Sequence, residues 1–172
     1  MDKKRRGNLS RRGMEPSPLT GVGCVIYARN TKRFLFLLRS DDTKHSKTWG
    51  LPGGKLEAGE SAIDGLRREI NEEIGAVVLS KFTHLETFTS DNNKFTFHTF
   101  YAIVEKEFIP DLNHEHVGYC WVPIKEYPRP IHPGVWRSFQ FDRVVEKLET
   151  MQLLADVRFH DKLANTDVSD VA

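Results

Sequence analysis

The sequence predicts a mixed β-sheet set between helices, an α/β or α+β domain. Three observations point there. Strand-like apolar runs recur along the chain. A stripe of Ile63, Leu66, Ile70 and Ile74, spaced by three and four residues, interrupts them as one buried helical face. A second helical stretch follows the last strand. At 172 residues the chain suits one domain with modest tails.

The first twenty residues set Lys3, Lys4, Arg5, Arg6, Arg11 and Arg12 against Asp2 and Glu15, although the whole chain has a net charge of only +1. Residues 1–20 read as a basic, disordered arm, poor in apolar side chains. Such an arm can hold RNA by neutralising phosphates. The lack of interleaved aromatics favours a solvated tail instead. The domain is expected over 21–152 and a frayed tail over 153–172.

"GVGCVIYA" (21–28) and "RFLFLLRS" (33–40) read as strands joined by the turn "RNTK". "DDTKHSKTWGLPGGKLEAGE" is a long loop rich in Gly, Pro and polar residues. The first helix starts at Ser61, with Asp64 three residues on as in a capping box, and stops at Gly75. "AVVLSKFTHLETFTS", "KFTFHTFYAIVEKE" and "VGYCWVPI" read as strands, the first two joined through "SDNNK". One last helix is expected over "GVWRSFQFDRVVEKLETMQ", with Val135, Phe139 and Val145 in the core. No apolar run reaches membrane-spanning length, and the N-terminus lacks the apolar segment of a secretory signal. Cys24 and Cys120 lie in strand-like runs and read as buried thiols in a reducing, cytoplasmic setting.

The chemistry concentrates in "REINEEIG". Glu69, Glu72 and Glu73 stand at i, i+3 and i+4 of the first helix, within about 100° of one another and away from its apolar stripe. On an exposed helix this repulsion costs only about 0.2–0.5 kcal/mol, so a solvated acidic face is possible. Enclosed, two carboxylates ~5 Å apart would repel by roughly 3 kcal/mol at an effective dielectric of 20. A divalent cation would remove that cost, and carboxylate oxygens suit Mg²⁺ or Mn²⁺. The preceding "LPGGKLEAGE" can supply a backbone carbonyl, free N–H groups and Lys55 near a phosphate.

Gly54, five residues, Glu60, seven residues, then "REINEEIGA" resembles the Nudix box, with Ala76 the one departure, at its last aliphatic position. The resemblance implies an α/β/α sandwich around a mixed sheet, and hydrolysis of a diphosphate linkage in a nucleoside diphosphate joined to another group. It implies that Glu69, Glu72, Glu73 and the Gly54 carbonyl hold the metal ions. Arg68 would orient the acids, and Glu60 would support them. The general base stays open between Glu69 and Glu115, with His114 and His116 beside the latter. Arg39, at the end of its strand, and Lys55 are candidates for substrate phosphates. Phe97, Phe100 and Tyr101 share one strand, where core is the default and one ring can stack on a base. Trp49 and Pro52 are expected to shape the loop.

Secondary motifs of the subclasses acting on NADH, ADP-ribose, diadenosine polyphosphates and coenzyme A are absent or incomplete. By elimination, (d)NTPs or related nucleotides, oxidised dNTPs included, are the expected substrates. Two alternatives remain: an RNA 5′-end pyrophosphohydrolase or decapping enzyme guided by the basic arm, and a nucleotide-binding regulator without turnover. The intact acids speak against the regulator.

Overall fold

A computed structural model describes residues 18–77, 79 and 81–166, the last nine of these by backbone alone. The basic arm, apart from its last residues, lies outside them. The strands are β1 (Leu19–Ala28), β2 (Arg33–Arg39), β3 (Trp49–Gly50), β4 (Thr83–Thr89), β5 (Phe95–Val104) and β6 (His116–Val122). The helices are α1 (Ala62–Ile74), α2 (Pro133–Phe139) and α3 (Asp142–Thr166).

All six strands form one mixed sheet, ordered β3-β2-β1-β5-β4, with β6 on the other edge of β2. β1 runs parallel to β5 over ten residue pairs; every other named pairing is antiparallel. The near-continuous apolar run of β1 follows from burial on both faces. Val22, Cys24, Ile26 and Ala28 pack toward α1 with Leu66, Ile70 and Ile74. Val25 and Tyr27 pack on the other face with Val135, Val144 and Leu148 of α2 and α3. The molecule is therefore an α/β sandwich around a mixed sheet, as expected.

β1 pairs with β2 only at Tyr27 and Ala28. Beyond that the strands part, and the loop enters between them. Trp49 and Gly50 pair with β2. The carbonyls of Pro52 and Gly54 accept from the N–H groups of Cys24 and Val22, at 2.9 and 2.8 Å. The Gly-rich loop thus becomes part of the sheet, which fixes it against α1.

Three expectations need correction. Among the described residues, the strand-like run 76–90 pairs only from Thr83 onward; Val77, Leu79 and Phe82 pack against the α1-side core without joining the sheet. The single last helix is two. The chain breaks at Gln140, whose N–H is shared by the carbonyls of Trp136 and Arg137. That break rotates the following residues, so Val144, not Val145, enters the core. Helix α3 then runs on through the stretch expected to fray from residue 153. Buried Ala155 secures it, as does Asp156, which accepts from the Tyr27 hydroxyl at 3.0 Å and pairs with Lys32 at 3.2 Å. Cys24 is buried and Cys120 half-buried, and both are free thiols. Among the described residues, no helix is long and apolar enough to cross a membrane.

Candidate active site

Helix α1 carries the acids. The Ser61 hydroxyl caps it, accepting from Asp64 N–H at 3.2 Å and donating to the Asp64 carboxylate at 2.6 Å. Gly75, at φ 80°, ends it. Leu66, Ile70 and Ile74 anchor the helix to the sheet. Gly65 is bare because a Cβ there would strike Leu56 and Glu60.

Arg68 organises the cluster. Its Nε and Nη2 donate to the two oxygens of Glu60 at 3.0 and 2.9 Å, a forked pair. Its Nη1 donates to Glu69 at 3.0 Å and to Glu72 at 3.3 Å. Nη2 also donates to the Lys55 carbonyl at 3.0 Å, tying helix to loop. This pairing pulls the Glu60 carboxyl below its ordinary range.

The sequence places the three acids on one face; the structure divides them. Glu72 is half exposed, whereas Glu73 is only 3% exposed. One Glu73 oxygen accepts from Gly53 N–H at 2.6 Å, and the other lies 3.9 Å from His116 Nε2. Burial pushes Glu73 up to about 8, with the charges of Glu69 and Glu115 adding to it against the Gly53 N–H. Glu69 is raised for the same leading reason, opposed by Arg68. Burial, helped by Arg39, brings His116 down to about 4. Burial thus shifts both His116 and Glu73 toward their neutral forms.

Gly54 meets the site through its Cα. A Cβ there would overlap the whole Glu69 carboxylate, so only glycine leaves that acid in place. Its carbonyl already accepts from Val22 N–H, with one lone pair remaining. Gly53, which contributes the N–H to Glu73, was not singled out from the sequence. Its signal was there, a second glycine in "PGG", and its φ of 141° requires glycine.

The loop before β6 closes the other side. The Glu115 carbonyl accepts from Ser40 N–H at 2.8 Å, which brings the loop to the end of β2. Arg39, Asp42, Thr43, Lys44, His114 and Glu115 line a cleft of about 330 Å³. Lys44, Asp42 and Thr43 were missed because this clustering depends on the β2–β6 pairing. Arg39 is oriented by donating from Nε to the Lys44 carbonyl at 3.1 Å. Lys55 stands exposed at the mouth of the Gly-rich loop, Trp49 is half-buried and Pro52 buried. Phe100 and Tyr101 are buried, on opposite faces of β5; Phe97 is half-buried.

A set of carboxylates that runs from the half-exposed Glu72 to the buried Glu73, where burial disfavours charge, attached to a forked arginine and a glycine turn, is a site built for more positive charge than it holds. A sequence model of the NUDIX domain matches residues 18–143. The chain belongs to the Nudix family. It is a pyrophosphohydrolase. It is 33% identical over 118 residues to a dihydroneopterin triphosphate diphosphatase of Haemophilus influenzae, covering 59% of this chain and 72% of that protein. It is 29% identical to Nudix hydrolase 7 of Arabidopsis thaliana, over 64% of this chain but 41% of that one. Two solved structures share the fold. The MutT NUDIX hydrolase of Burkholderia pseudomallei matches with a TM-score of 0.60 at 24% identity, covering 70% of this chain and 95% of that one. The NUDIX domain of Shewanella oneidensis NrtR, complexed with ADP ribose, matches at 0.63 and 18% identity, covering 79% and 94%.

The carboxylates fit a hard divalent ion by donor chemistry, since every candidate atom is an oxygen. In their present rotamers, no three Asp, Glu, His or Cys side chains among the described residues are gathered tightly enough to hold one together. Arg68 holds Glu69 and the half-exposed Glu72.

Proposed function

We propose that this Nudix enzyme hydrolyses the diphosphate linkage of a nucleoside triphosphate or a closely related heterocycle triphosphate. The observation that carries this reading is the pairing of two charge fields. The acids of α1 lie beside a cleft where Arg39 and Lys44 stand with Asp42 and Glu115, so a chain of phosphates meets two cationic side chains next to a group of carboxylates that calls for metal. The similarity to a diphosphatase of a triphosphate supports the same class.

Glu69, Glu72 and Glu73, with the Gly54 carbonyl, would hold Mg²⁺ or Mn²⁺. When bound, such an ion neutralises phosphate charge and acidifies water. Arg39 and Lys44 take phosphate oxygens, and Lys55 guards the entry. Arg68 keeps the acids apart and oriented. Glu115 takes the water's proton: it borders the open cleft and its charge reaches both Glu69 and Glu73, whereas Glu69 is committed to Arg68.

Chromatographic separation of the nucleotide, pyrophosphate and phosphate products tests this on (d)NTPs, an oxidised dGTP, ADP-ribose, dinucleoside polyphosphates and 5′-triphosphorylated RNA, with Mg²⁺, Mn²⁺ or chelator. Metal-dependent turnover concentrated in the triphosphates is the expected result. Turnover confined to ADP-ribose or RNA ends would overturn the substrate class. Turnover unchanged by Glu115→Gln would remove Glu115 as the base.

A further inference from the structure

The sheet face opposite α1 carries aromatic side chains that belong to neither core. Phe88 of β4 stands opposite Phe97 of β5, and Phe95 lies two residues before it. All three are half-buried. Ring centroids are 6.1 Å apart for Phe95 and Phe97, and 6.5 Å for Phe88 and Phe95. Arg137 of α2 lies over Phe88, its guanidinium carbon 4.9 Å from the ring centre. Beneath Phe97 the neighbouring strand is bare. A Cβ on Gly21 would come within 2.8 Å of that ring, and one on Gly23 within 3.0 Å.

Beside these rings stands a carboxylate with nothing to bind. Glu86 pairs with Thr99, two residues along from the Phe88–Phe97 pair, so it faces the same way. Its Oε1 is buried without a hydrogen-bond partner, and among the described residues Glu86 is in no ion pair. Strict alternation would put Leu85 and Glu86 on opposite faces. The register shift between His84 and Glu86 turns both toward α3. Lys147 fixes that shift by donating to the carbonyls of His84 and Leu85, at 2.9 and 2.7 Å. A bulge that re-aims one side chain is a recurrent device beside binding sites, and a buried oxygen left unpaired calls for a partner.

We infer that Glu86 and the Phe88–Phe95–Phe97 surface bind the ring of the substrate, and that this ring presents two adjacent N–H donors. A carboxylate only accepts, and two parallel donors match it best. Among heterocycles, the 2-amino-4-oxo rings of guanine and of pterins offer a ring N–H beside an exocyclic amine. Adenine and uracil offer no such pair, and cytosine sets an acceptor beside its amine. The aromatic rings supply stacking, with Arg137 extending the platform. In the plane of the sheet, the Gly54 segment lies three strand spacings from β4 across β1 and β5, about 14 Å. This inference rests on the triphosphate reading above.

Calorimetry with Mg²⁺ and non-hydrolysable triphosphate analogues of guanosine, inosine and adenosine tests it without depending on turnover. Inosine differs from guanosine only in lacking the amine. The guanosine analogue is expected to bind about tenfold more tightly than the other two. Glu86→Gln should bring all three to parity, because an amide sets a donor against one ring donor. Phe97→Leu should weaken all three alike and keep the ratio. Equal binding of the three by the unaltered chain, or a preference that survives Glu86→Gln, would overturn the assignment. Turnover of GTP against a pterin triphosphate then separates the two sources, faster cleavage of either than of ATP being the expected result. ATP cleaved as fast as both would also overturn it. A guanosine binding preference with no cleavage of any triphosphate would instead defeat the hydrolase reading and leave the ring assignment standing.

Discussion

On the α1 face of the sheet the carboxylates are held: Arg68 grips Glu60, Glu69 and Glu72, and Gly53 donates to Glu73. On the α2/α3 face Glu86 stands beside three aromatic rings with one buried oxygen unpaired. The contrast fits two tasks. Chemistry on phosphates needs its groups fixed before the substrate arrives. Recognition of a ring leaves its polar group free, so that a wrong ring fails to satisfy it. If so, variants on the first face should act on kcat, and variants on the second should act on binding and ring preference.

The sharpest break is Glu73→Gln. The amide keeps the shape and still accepts from Gly53 N–H, but it cannot ionise. We expect kcat to fall by about 10²–10³-fold, while the melting temperature holds or rises, since burial already disfavours the charge of that carboxylate. Steady-state kinetics paired with thermal melts read both. If turnover survived intact, the α1 face would not be the catalytic one.

Adjacent glycines sharpen the comparison next. Gly54→Ala must displace the Glu69 carboxylate, the mobile end of a side chain, so the fold can yield. A kcat loss of about 10–100-fold with little change in stability is expected. Gly53→Ala drives a Cβ into the backbone at Val22 and Gly23 from a φ of 141°. It should cost at least about 1–3 kcal/mol of stability. Denaturant titrations and kinetics on the pair would show whether site and scaffold separate by one residue. A smaller effect is expected from Arg68→Lys, which keeps the charge but loses the fork to Glu60. About a tenfold fall in kcat is expected, and an unchanged kcat would demote Arg68 to a surface ion pair.

The two faces also differed in legibility. Helix α1 encodes its acids in eight consecutive residues. Spacing alone gathers Arg68, Glu69, Glu72 and Glu73, and the apolar stripe shows which side is buried. It did not show that Glu73 is buried, because that depends on His116 and Gly53 arriving from other elements. The ring-facing surface draws on β1, β4, β5 and α2, and on a bulge no alternation pattern could reveal. Phe97 could be named from the sequence as one of three stacking candidates; that it is the one left outside both cores follows only from the strand register. The division of the last helix is illegible for a related reason: the break at Gln140 leaves no proline or glycine at that position.

The gentlest test concerns the α2/α3 side and should leave kcat untouched. His132 caps α2, its Nδ1 accepting from Gly134 N–H at 3.1 Å, and this requires the nitrogen to be unprotonated. Burial, then the neighbouring His45 ring and the charges of Arg39 and Lys44, bring His132 down to about 4 from an ordinary value of 6.5. A histidine with a depressed folded value takes up its proton more readily in the unfolded chain. Stability from this group is therefore full above about pH 6.5 and is lost as pH falls toward about 4. Asparagine caps equally well and does not titrate. His132→Asn should match the unaltered chain at pH 7.5 and exceed it by about 1 kcal/mol near pH 5, the worth of one cap. His116, depressed in the same direction, leaves a residual acid slope in the variant. Urea melts across this range measure the difference. Identical slopes for the two proteins would mean that the cap at α2 does not titrate, and that acid sensitivity resides with His116 and His98.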